Sequence, residues 1–243
     1  MPLAIDFGNS RIKIGYFKGD AKQPTRVLIT DYDLYSFEES LKEYSTEEHC
    51  IISSVASSID FEHIVKQHFE HVHVLSYQSI LPFDNFYETP ETLGNDRMAA
   101  CAGAMELTEK RPLLVIDAGT CITYDFITDA DSYIGGAISP GIEMRLKAMH
   151  HFTENLPKPI FSPEKERVTL GKSTIDCLLA GAVTGTVHEI LGFAATFSSA
   201  KSLNVVLTGG NSEYLADQLE NSTFAAPNLV LIGLNKIRKL NAH

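Results

Sequence analysis

The sequence predicts an α/β protein with two related lobes, each a mixed β-sheet flanked by helices. The first observation behind this prediction is a repeat. Residues 3–17 (LAIDFGNSRIKIGYF) and residues 113–127 (LLVIDAGTCITYDFI) both pass from an apolar run through an Asp-x-Gly step into a second apolar run. The second observation is that strand-sized apolar runs alternate with helical patterns between the two copies. The spacing of the repeat, a little under half the chain, places the lobes at 1–110 and 111–243.

Both copies of the repeat predict a strand, a tight turn and a second strand. Asp6 and Asp117 stand at the exit of the first strand, and Gly8 and Gly119 follow two residues later. A carboxylate beside a glycine, where backbone N–H groups can turn outward, suits a polyphosphate and its counter-cation. One such turn alone favours a plain hairpin with Asp in its turn. Two copies together favour phosphate binding.

Apolar spacing also predicts the elements of the first lobe between the two copies. They are a strand near 26–29, a helix over 35–44, a strand at 50–55, a helix over 59–69 and a strand at 71–75. His71 and His73 alternate along the last of these strands. Because no third ligand lies near them in the sequence, we do not assign a metal site to this pair.

Residues 80–97 (ILPFDNFYETPETLGNDR) predict a loop that leads into a helix. Two prolines and a glycine interrupt regular structure, and a run rich in small residues follows from Met98. Asp96 and Arg97 then lie in the first turn of that helix, where the helix dipole favours a carboxylate. The local pattern leaves two interpretations of Asp96 open: an acid that only stabilises the helix start, or a functional group.

The second lobe contains several glycine-rich turns. Gly135-Gly136 and Pro140-Gly141 predict two turns around one short strand, before an amphipathic helix. Ser173 and Asp176 form a capping box at the start of the longest predicted helix, whose apolar stripe is spaced to face a core. A strand then runs into residues 208–210 (TGG), and residues 228–234 predict a final strand or apolar turn before a closing helix.

Composition excludes several classes of function. The net charge is −11, from 20 Lys and Arg against 31 Asp and Glu, and no basic run occurs, so binding to nucleic acid through phosphate neutralisation is not expected. The cysteines have no C-x-x-C spacing, which disfavours a disulfide framework or a zinc site and favours a reducing cytosol; they are Cys50, Cys101, Cys121 and Cys177. No signal sequence is evident and the apolar runs are strand-sized, so we expect a soluble cytoplasmic protein without membrane association.

Five motifs together resemble the type III pantothenate kinase family, over nearly the whole chain and in the order of that family. They are residues 6–13 (DFGNSRIK), Tyr87 with residues 94–97 (GNDR), residues 117–123 (DAGTCIT), residues 135–141 (GGAISPG) and residues 208–210 (TGG). The resemblance implies the fold of the acetate kinase, hexokinase, Hsp70 and actin superfamily, an actin-like ATPase (ribonuclease H-like) duplication. It also implies ATP-dependent phosphorylation of pantothenate and a homodimer. The GNDR motif separates this family from acetate kinases and chaperones.

The resemblance further implies a role for each matching residue. ATP phosphates and the Mg²⁺ shell would be held by Asp6, Phe7, Gly8, Asn9, Ser10, Arg11, Ile12 and Lys13, with Thr120 on a further ATP phosphate. Asp117 would bind a monovalent cation, K⁺ or NH₄⁺. The pantothenate pocket would be lined by Tyr87, Gly94, Asn95, Asp96, Arg97 and Thr174, with Asp96 as the catalytic base. Residues 208–210 would meet the adenosine. Cys121 departs from the family, which more often has Ala there, and this bears on the fit of the cation.

Other activities are less consistent with the sequence. A P-loop kinase is excluded because no G-x-x-x-x-G-K-[ST] motif occurs. With 243 residues, the chain has little room for the large insertions of sugar and acetate kinases. A non-catalytic ATP-binding regulator of the same family remains the alternative. For the homodimer, the small-residue helix at 99–105 and the face carrying Gly181 and Gly185 are the predicted surfaces of close contact.

Overall fold

The computed structural model describes residues 2–8, 11–46, 48–53, 59–165, 167–197, 203–219 and 223–242. Its contacts divide the chain into two units. The first unit contains Met1–Glu109, Ala130–Ile134 and Asn228–His243, and the second contains Lys110–Asp129 and Gly135–Pro227. The sequence predicts a boundary between the lobes near residue 110, and the first unit also reaches Glu109. The C-terminal segment Asn228–His243, however, is grouped with the first unit and not with the second.

Strands and helices alternate along both units. The strands are β1 (Leu3–Phe7), β2 (Ile12–Tyr16), β3 (Arg26–Thr30), β4 (His49–Ser53), β5 (His71–Val74), β6 (Asp84–Asn85), β7 (Leu113–Ala118), β8 (Cys121–Ile127), β9 (Ser132–Pro140), β10 (Asn204–Thr208) and β11 (Thr223–Ala225). The helices are α1 (Leu34–Leu41), α2 (Ile59–His68), α3 (Asn95–Leu107), α4 (Ile142–His151), α5 (Thr174–Leu179), α6 (Gly185–Phe197), α7 (Ser212–Ala216) and α8 (Leu229–Leu240). A short 3₁₀ helix spans Pro90–Thr92.

The first unit is built on a five-stranded sheet in the order β3-β2-β1-β4-β5. β1 pairs antiparallel with β2 and parallel with β4, so the sheet is mixed. Every residue of β1 is buried, which fits its central place in the sheet. Apolar side chains from this sheet form a core with α1 and α2, including Phe7, Phe37 and Phe61.

The second unit has its own mixed sheet. Its strands follow the order β11-β10-β7-β8-β9. β7 pairs antiparallel with β8 and parallel with β10. In the first unit, the two residues of β6 pair with Ser132 and Tyr133 at the beginning of β9. Two mixed sheets flanked by helices confirm the predicted fold class.

One continuous helix runs from Thr174 to Phe197 and contains a π-helical turn at Ala180–Thr184. By length and composition alone it could cross a membrane, and 39% of its most apolar window is buried in the protein. One such helix is weak evidence, because the core helix of a soluble protein has the same composition. Here it contributes Leu178, Val187 and Ile190 to the core of the second unit.

The structure corrects two of the predicted elements. Residues 228–234 do not form a strand, because the helix α8 begins at Leu229 and continues through them. A continuous apolar run does not distinguish a buried strand from a buried helix, and α8 is buried on most of its faces. Gly135-Gly136 does not form a turn between strands, since it lies inside β9. Gly135 has φ +113, a backbone conformation that glycine adopts without strain while the strand continues.

A third correction concerns the surfaces predicted for the dimer. The small residues of α3, from Ala99 to Ala104, are buried within the chain because α8 packs on them. Gly103 and Gly233 permit this close packing, since a Cβ on Gly233 would overlap the carbonyl oxygen of Ala99. The helix α3 therefore has no exposed small-residue face. A Cβ on Gly181 or Gly185 would meet no atom of another element within 4 Å in the part of the chain that the structure describes.

Candidate functional site

The first Asp-x-Gly turn connects β1 to β2 in the first unit. Asp6 is 8% exposed and lies directly opposite Lys13 in the antiparallel pair, so both side chains project from the same face of the hairpin. At the turn, the backbone N–H of Gly8 donates to the carbonyl oxygen of Arg11, with 3.1 Å between the atoms. The arrangement places a carboxylate and an ammonium group on one face of the hairpin, next to this turn.

Tyr32 supports this turn from the segment between β3 and α1. Its hydroxyl donates to the carbonyl oxygen of Gly8, and its ring packs edge-on against Phe61 in the core. Burial raises the pKa of Tyr32, and the nearby charge of Asp6 raises it further. The phenol therefore stays protonated as a donor. No periodicity or motif in the sequence singles out Tyr32, and sequence analysis did not predict this role.

The predicted phosphate-binding residues of the first turn fall into three groups. The side chains of Phe7 and Ile12 are fully buried in the core, so these two residues can offer a ligand only their backbone. Arg11 is exposed, with its Nε 4.0 Å from a carboxylate oxygen of the exposed Asp31. Asn9 and Ser10 lie outside the described residues.

The second Asp-x-Gly turn connects β7 to β8 in the second unit and is one residue shorter than the first, since Ala118 pairs with Ile122 where Phe7 pairs with Ile12. The N–H of Gly119 donates to the carbonyl oxygen of Cys121 at 3.0 Å. Asp117 is half-buried and lies opposite Thr123 in the hairpin, while Thr120 is exposed at the tip of the turn. The predicted strand, turn and strand are thus present in both units.

Two other segments of the second unit pack on this second turn. Gly209 has φ +88, and a Cβ on it would overlap a carboxylate oxygen of Asp117. Gly141 donates its N–H to the carbonyl oxygen of Thr120 at 3.0 Å, and a Cβ on it would lie 2.6 Å from that same oxygen. Only glycine fits these two positions. The TGG and SPG motifs therefore converge with Asp117 and Thr120 in one place.

The GNDR segment starts α3 in the first unit. Gly94 is the N-cap residue, and a Cβ there would lie 2.5 Å from a carboxylate oxygen of Asp96. Asp96 is exposed, and its Oδ1 accepts the backbone N–H of Arg97 at 2.9 Å. Asp96 therefore stabilises the start of its own helix through one oxygen, and its side chain is otherwise exposed to solvent.

Arg97 and Tyr87 lie together beside Asp96. Arg97 is only 6% exposed, and its guanidinium carbon lies 5.8 Å from the centroid of the Tyr87 ring. The backbone N–H of Tyr87 is held by the side-chain oxygen of Asn85 at 3.0 Å. A buried guanidinium held over an aromatic ring is suited to bind a carboxylate with little loss of side-chain entropy.

The remaining predicted residues lie in separate parts of the chain. Asn95 is the first residue of α3 and is half-buried. Thr174 is exposed at the start of α5 in the second unit, directly after the N-cap Ser173, whose side chain accepts the N–H of Asp176. This last contact confirms half of the predicted capping box.

A metal ion would find single carboxylates here and not a cluster of protein ligands. Among the described residues, no group of three or more His, Cys, Asp or Glu is placed to hold a metal. Asp6 and Asp117 each present one carboxylate beside a turn. Mg²⁺ in phosphoryl-transfer enzymes is commonly held by one or two carboxylates together with substrate phosphates, so the residues present fit such an ion.

Solved structures share the fold. The chain superimposes with a TM-score of 0.66 on a structure titled a conserved putative Baf family transcriptional activator from Campylobacter jejuni, at 23% identity and 98% coverage of both chains. A putative 2-dehydro-3-deoxygalactonokinase from Sinorhizobium meliloti gives a TM-score of 0.61 at 11% identity, covering 100% of this chain and 99% of the other. At these identities the likeness shows the fold alone, and it agrees with the predicted α/β fold of two mixed sheets flanked by helices.

Sequence relatives show the family. The model of the type III pantothenate kinase family matches residues 2–196. A type III pantothenate kinase of Christiangramia forsetii is 39% identical over 243 residues, covering 99% of both chains. One of Cytophaga hutchinsonii is 40% identical over 242 residues, covering 99% of this chain and 100% of the relative. The chain therefore belongs to the type III pantothenate kinase family.

Proposed function

We propose that the protein transfers the γ-phosphoryl group of ATP to the primary hydroxyl of pantothenate, forming 4′-phosphopantothenate, the first step of coenzyme A biosynthesis. The observation that carries this proposal is the GNDR segment, which presents an exposed Asp96 beside a buried Arg97 in a chain with full-length relatives named as pantothenate kinases. A kinase that acts on a carboxylated alcohol needs one side chain to bind the carboxylate and another to accept the proton of the hydroxyl. The neighbours Arg97 and Asp96 can supply these two groups.

The acceptor is held and activated by the first unit in this proposal. Arg97 pairs the carboxylate of pantothenate, and the cation–π contact with Tyr87 helps to hold the guanidinium in place. Asp96 accepts the proton of the hydroxyl as the hydroxyl attacks phosphorus. Gly94 and Asn95 of the same unit line the rest of this pocket.

The two Asp-x-Gly turns hold the nucleotide. Phosphoryl transfer demands little covalent work from the protein, because the main requirements are alignment and neutralisation of charge on the phosphate oxygens. Residues 6–13 bind phosphates through backbone N–H groups and Lys13, Thr120 binds a further phosphate, and residues 208–210 meet the adenosine. Mg²⁺, when bound near Asp6, supplies positive charge to the phosphates, and Asp117 holds a monovalent cation.

The proposed enzyme is a cytoplasmic homodimer. It functions without nucleic acid or a membrane, in keeping with its net charge of −11. The regulatory alternative has no observation in its favour. The Campylobacter structure carries a regulator's title, but at 23% identity it supports only the fold.

A coupled assay of ADP release tests the proposal. With ATP, Mg²⁺ and K⁺ present, we expect ADP release to depend on pantothenate, with no comparable release from pantetheine, acetate or glucose. Formation of 4′-phosphopantothenate should match ADP in amount. Nucleotide binding without any pantothenate-dependent turnover would favour the non-catalytic regulator, and turnover with glucose or acetate would assign the chain another acceptor.

A further inference from the structure

A network of four polar side chains lies in the second unit, behind the second Asp-x-Gly turn. Glu189 of α6 accepts hydrogen bonds from the hydroxyls of Tyr124 and Ser139, at 2.7 and 2.5 Å. Its other oxygen lies 2.7 Å from Nη2 of Arg145. The side chains of Arg145 and Glu189 are only 19% and 27% exposed. We call Tyr124, Ser139, Arg145 and Glu189 the Glu189 network.

The network reaches the turn through one peptide bond, the bond between Pro140 and Gly141. Nε of Arg145 donates to the carbonyl oxygen of Pro140 at 2.8 Å. The N–H of Gly141, at the other end of the same peptide unit, donates to the carbonyl oxygen of Thr120 at 3.0 Å. The peptide plane is thus held by Arg145 on one side and by the turn on the other.

We infer that Glu189 and Arg145 are positioning residues for nucleotide binding, because they orient this peptide and so fix the backbone of Gly119 and Thr120. The inference rests on the proposed kinase activity, in which Thr120 binds a phosphate. The polar partners of the two side chains are Tyr124, Ser139 and Pro140 and each other, so any effect on the turn passes through the peptide. Gly141 leaves no free space between the peptide and the turn, because a Cβ there would overlap the oxygen of Gly119. A rotation of the peptide therefore displaces the turn.

Hydrogen bonds and charge keep the Glu189 network in one protonation state near neutral pH. Burial alone would raise the pKa of Glu189, but hydrogen bonds from Ser139, Arg145 and Tyr124 and the charge of Arg145 outweigh it and lower this pKa. Burial raises the pKa of Tyr124, and the hydrogen bond to Glu189 raises it further. Glu189 is therefore ionised and Tyr124 protonated at neutral pH. A partly buried ion pair of this kind is a weak source of stability.

The test compares Glu189→Gln with Glu106→Gln. The control residue Glu106 also forms a partly buried ion pair, 2.9 Å from Nζ of Lys236, but it lies in the first unit, at the end of α3 opposite to Asp96. In Glu189→Gln, we expect KM for ATP to rise about tenfold, as loss of a charged hydrogen bond predicts, while KM for pantothenate changes by less than about twofold. Glu106→Gln should leave both KM values unchanged.

Hydrogen exchange of the Gly141 amide, measured without nucleotide, tests the same link independently of activity. Glu189→Gln should lower the protection of this N–H by about tenfold, and Glu106→Gln should not. Arg145→Lys keeps the charge but loses the Nε donor to Pro140, so it should also raise KM for ATP and lower the protection of the Gly141 N–H. This variant replaces Glu189→Gln in the test if Glu189→Gln does not fold.

Two results would overturn the inference. One is unchanged Gly141 protection in both network variants. The other is reduced protection with an unaltered KM for ATP, which would show that the peptide does not position the turn for nucleotide. A wild-type protein that binds no ADP in calorimetry would instead count against the proposed function, and this outcome is measured separately.

Discussion

Asp96 gives one carboxylate oxygen to the start of its own helix and leaves the side chain otherwise exposed. The two interpretations that the sequence left open are therefore compatible in space. A helix-start acid needs only a hydrogen-bond acceptor, which Asn also provides. A general base needs a group that accepts a proton, which Asn cannot do.

We expect Asp96→Asn to lower kcat by roughly 10² to 10⁴, while unfolding free energy changes by at most about 1 kcal/mol. Rates with pantothenate and melting temperatures measured together separate the two functions. Glu143→Gln is the matched control, because Glu143 is likewise an exposed acid in the first turn of a helix, α4. Near wild-type kcat in Asp96→Asn would mean that the loose transition state of phosphoryl transfer needs no base here.

Asp117 is the residue on which the proposed monovalent cation depends. Its carboxylate lies against Gly209, where no side chain fits, and at the exit of β7 beside the turn. A site made from one carboxylate and several carbonyl oxygens suits a large, weakly hydrated cation.

We therefore expect activity to require K⁺ or NH₄⁺, with at least about tenfold lower turnover when Na⁺ replaces them at equal ionic strength. Asp117→Asn should lose most of this activation, while Asp217→Asn, an exposed acid of the same unit, should retain it. Equal rates in sodium and potassium buffers would remove the cation from the proposal. Full activity of Asp117→Asn would remove Asp117 from it.

At the scale of elements, the two hairpins were the most predictable parts of the fold. Asp and Gly between apolar runs specify a turn through local chemistry alone, and both turns form as predicted. The helix α8 was less predictable because its apolar run is compatible with either kind of buried element. The π-helical turn in the long helix is a further case, since tertiary packing and not local sequence decides where an extra residue enters a helix.

The same reasoning applies to the site. Asp96, Arg97, Asp117 and Thr120 stand in short motifs, so the sequence alone could single them out. Tyr32 and Glu189 act through contacts with residues far along the chain. Tyr32 lies 24 positions from Gly8, and Glu189 lies 44 from Arg145. No local pattern encodes such contacts, and only the folded structure reveals them.

The packing of α3 on α8 gives a prediction about stability. A Cβ on Gly233 would overlap the carbonyl oxygen of Ala99, so Gly233→Ala must force the two helices apart. We expect a loss of about 1–3 kcal/mol in unfolding free energy. Gly192→Ala in α6 is the control, because nothing lies within 4 Å of its Cβ and Ala favours a helix. The control should gain about 0.5–1 kcal/mol.

Thermal or urea unfolding of both variants measures the difference. Gly233→Ala should lower the melting temperature by several degrees, at about 2–4 °C per kcal/mol for a chain of this size. If Gly233→Ala were as stable as wild type, the close approach of α3 and α8 would be incorrect. Since α3 also carries Asp96 at its first turn, lower activity in this variant would follow from the same displacement.

At the scale of the whole molecule, the acidic composition restricts how the substrates are bound. ATP and pantothenate are both anions, and the protein carries a net charge of −11. Long-range electrostatic repulsion therefore opposes binding, and local groups must supply the affinity. Lys13 beside the first turn and the buried Arg97 are such groups. This balance also explains why a bound cation would assist the nucleotide.

The last prediction is the homodimer of about twice 26.8 kDa. The dimer interface cannot use the small residues of α3, because α8 covers them. We expect the interface to use apolar side chains that the single chain leaves exposed. Phe152, Ile160 and Leu170 are each more than 80% exposed, and a second copy would remove such groups from water. Light scattering at micromolar concentration should return the dimer mass, and specific activity should fall on dilution below the dissociation constant. A monomer mass with full activity would contradict this prediction.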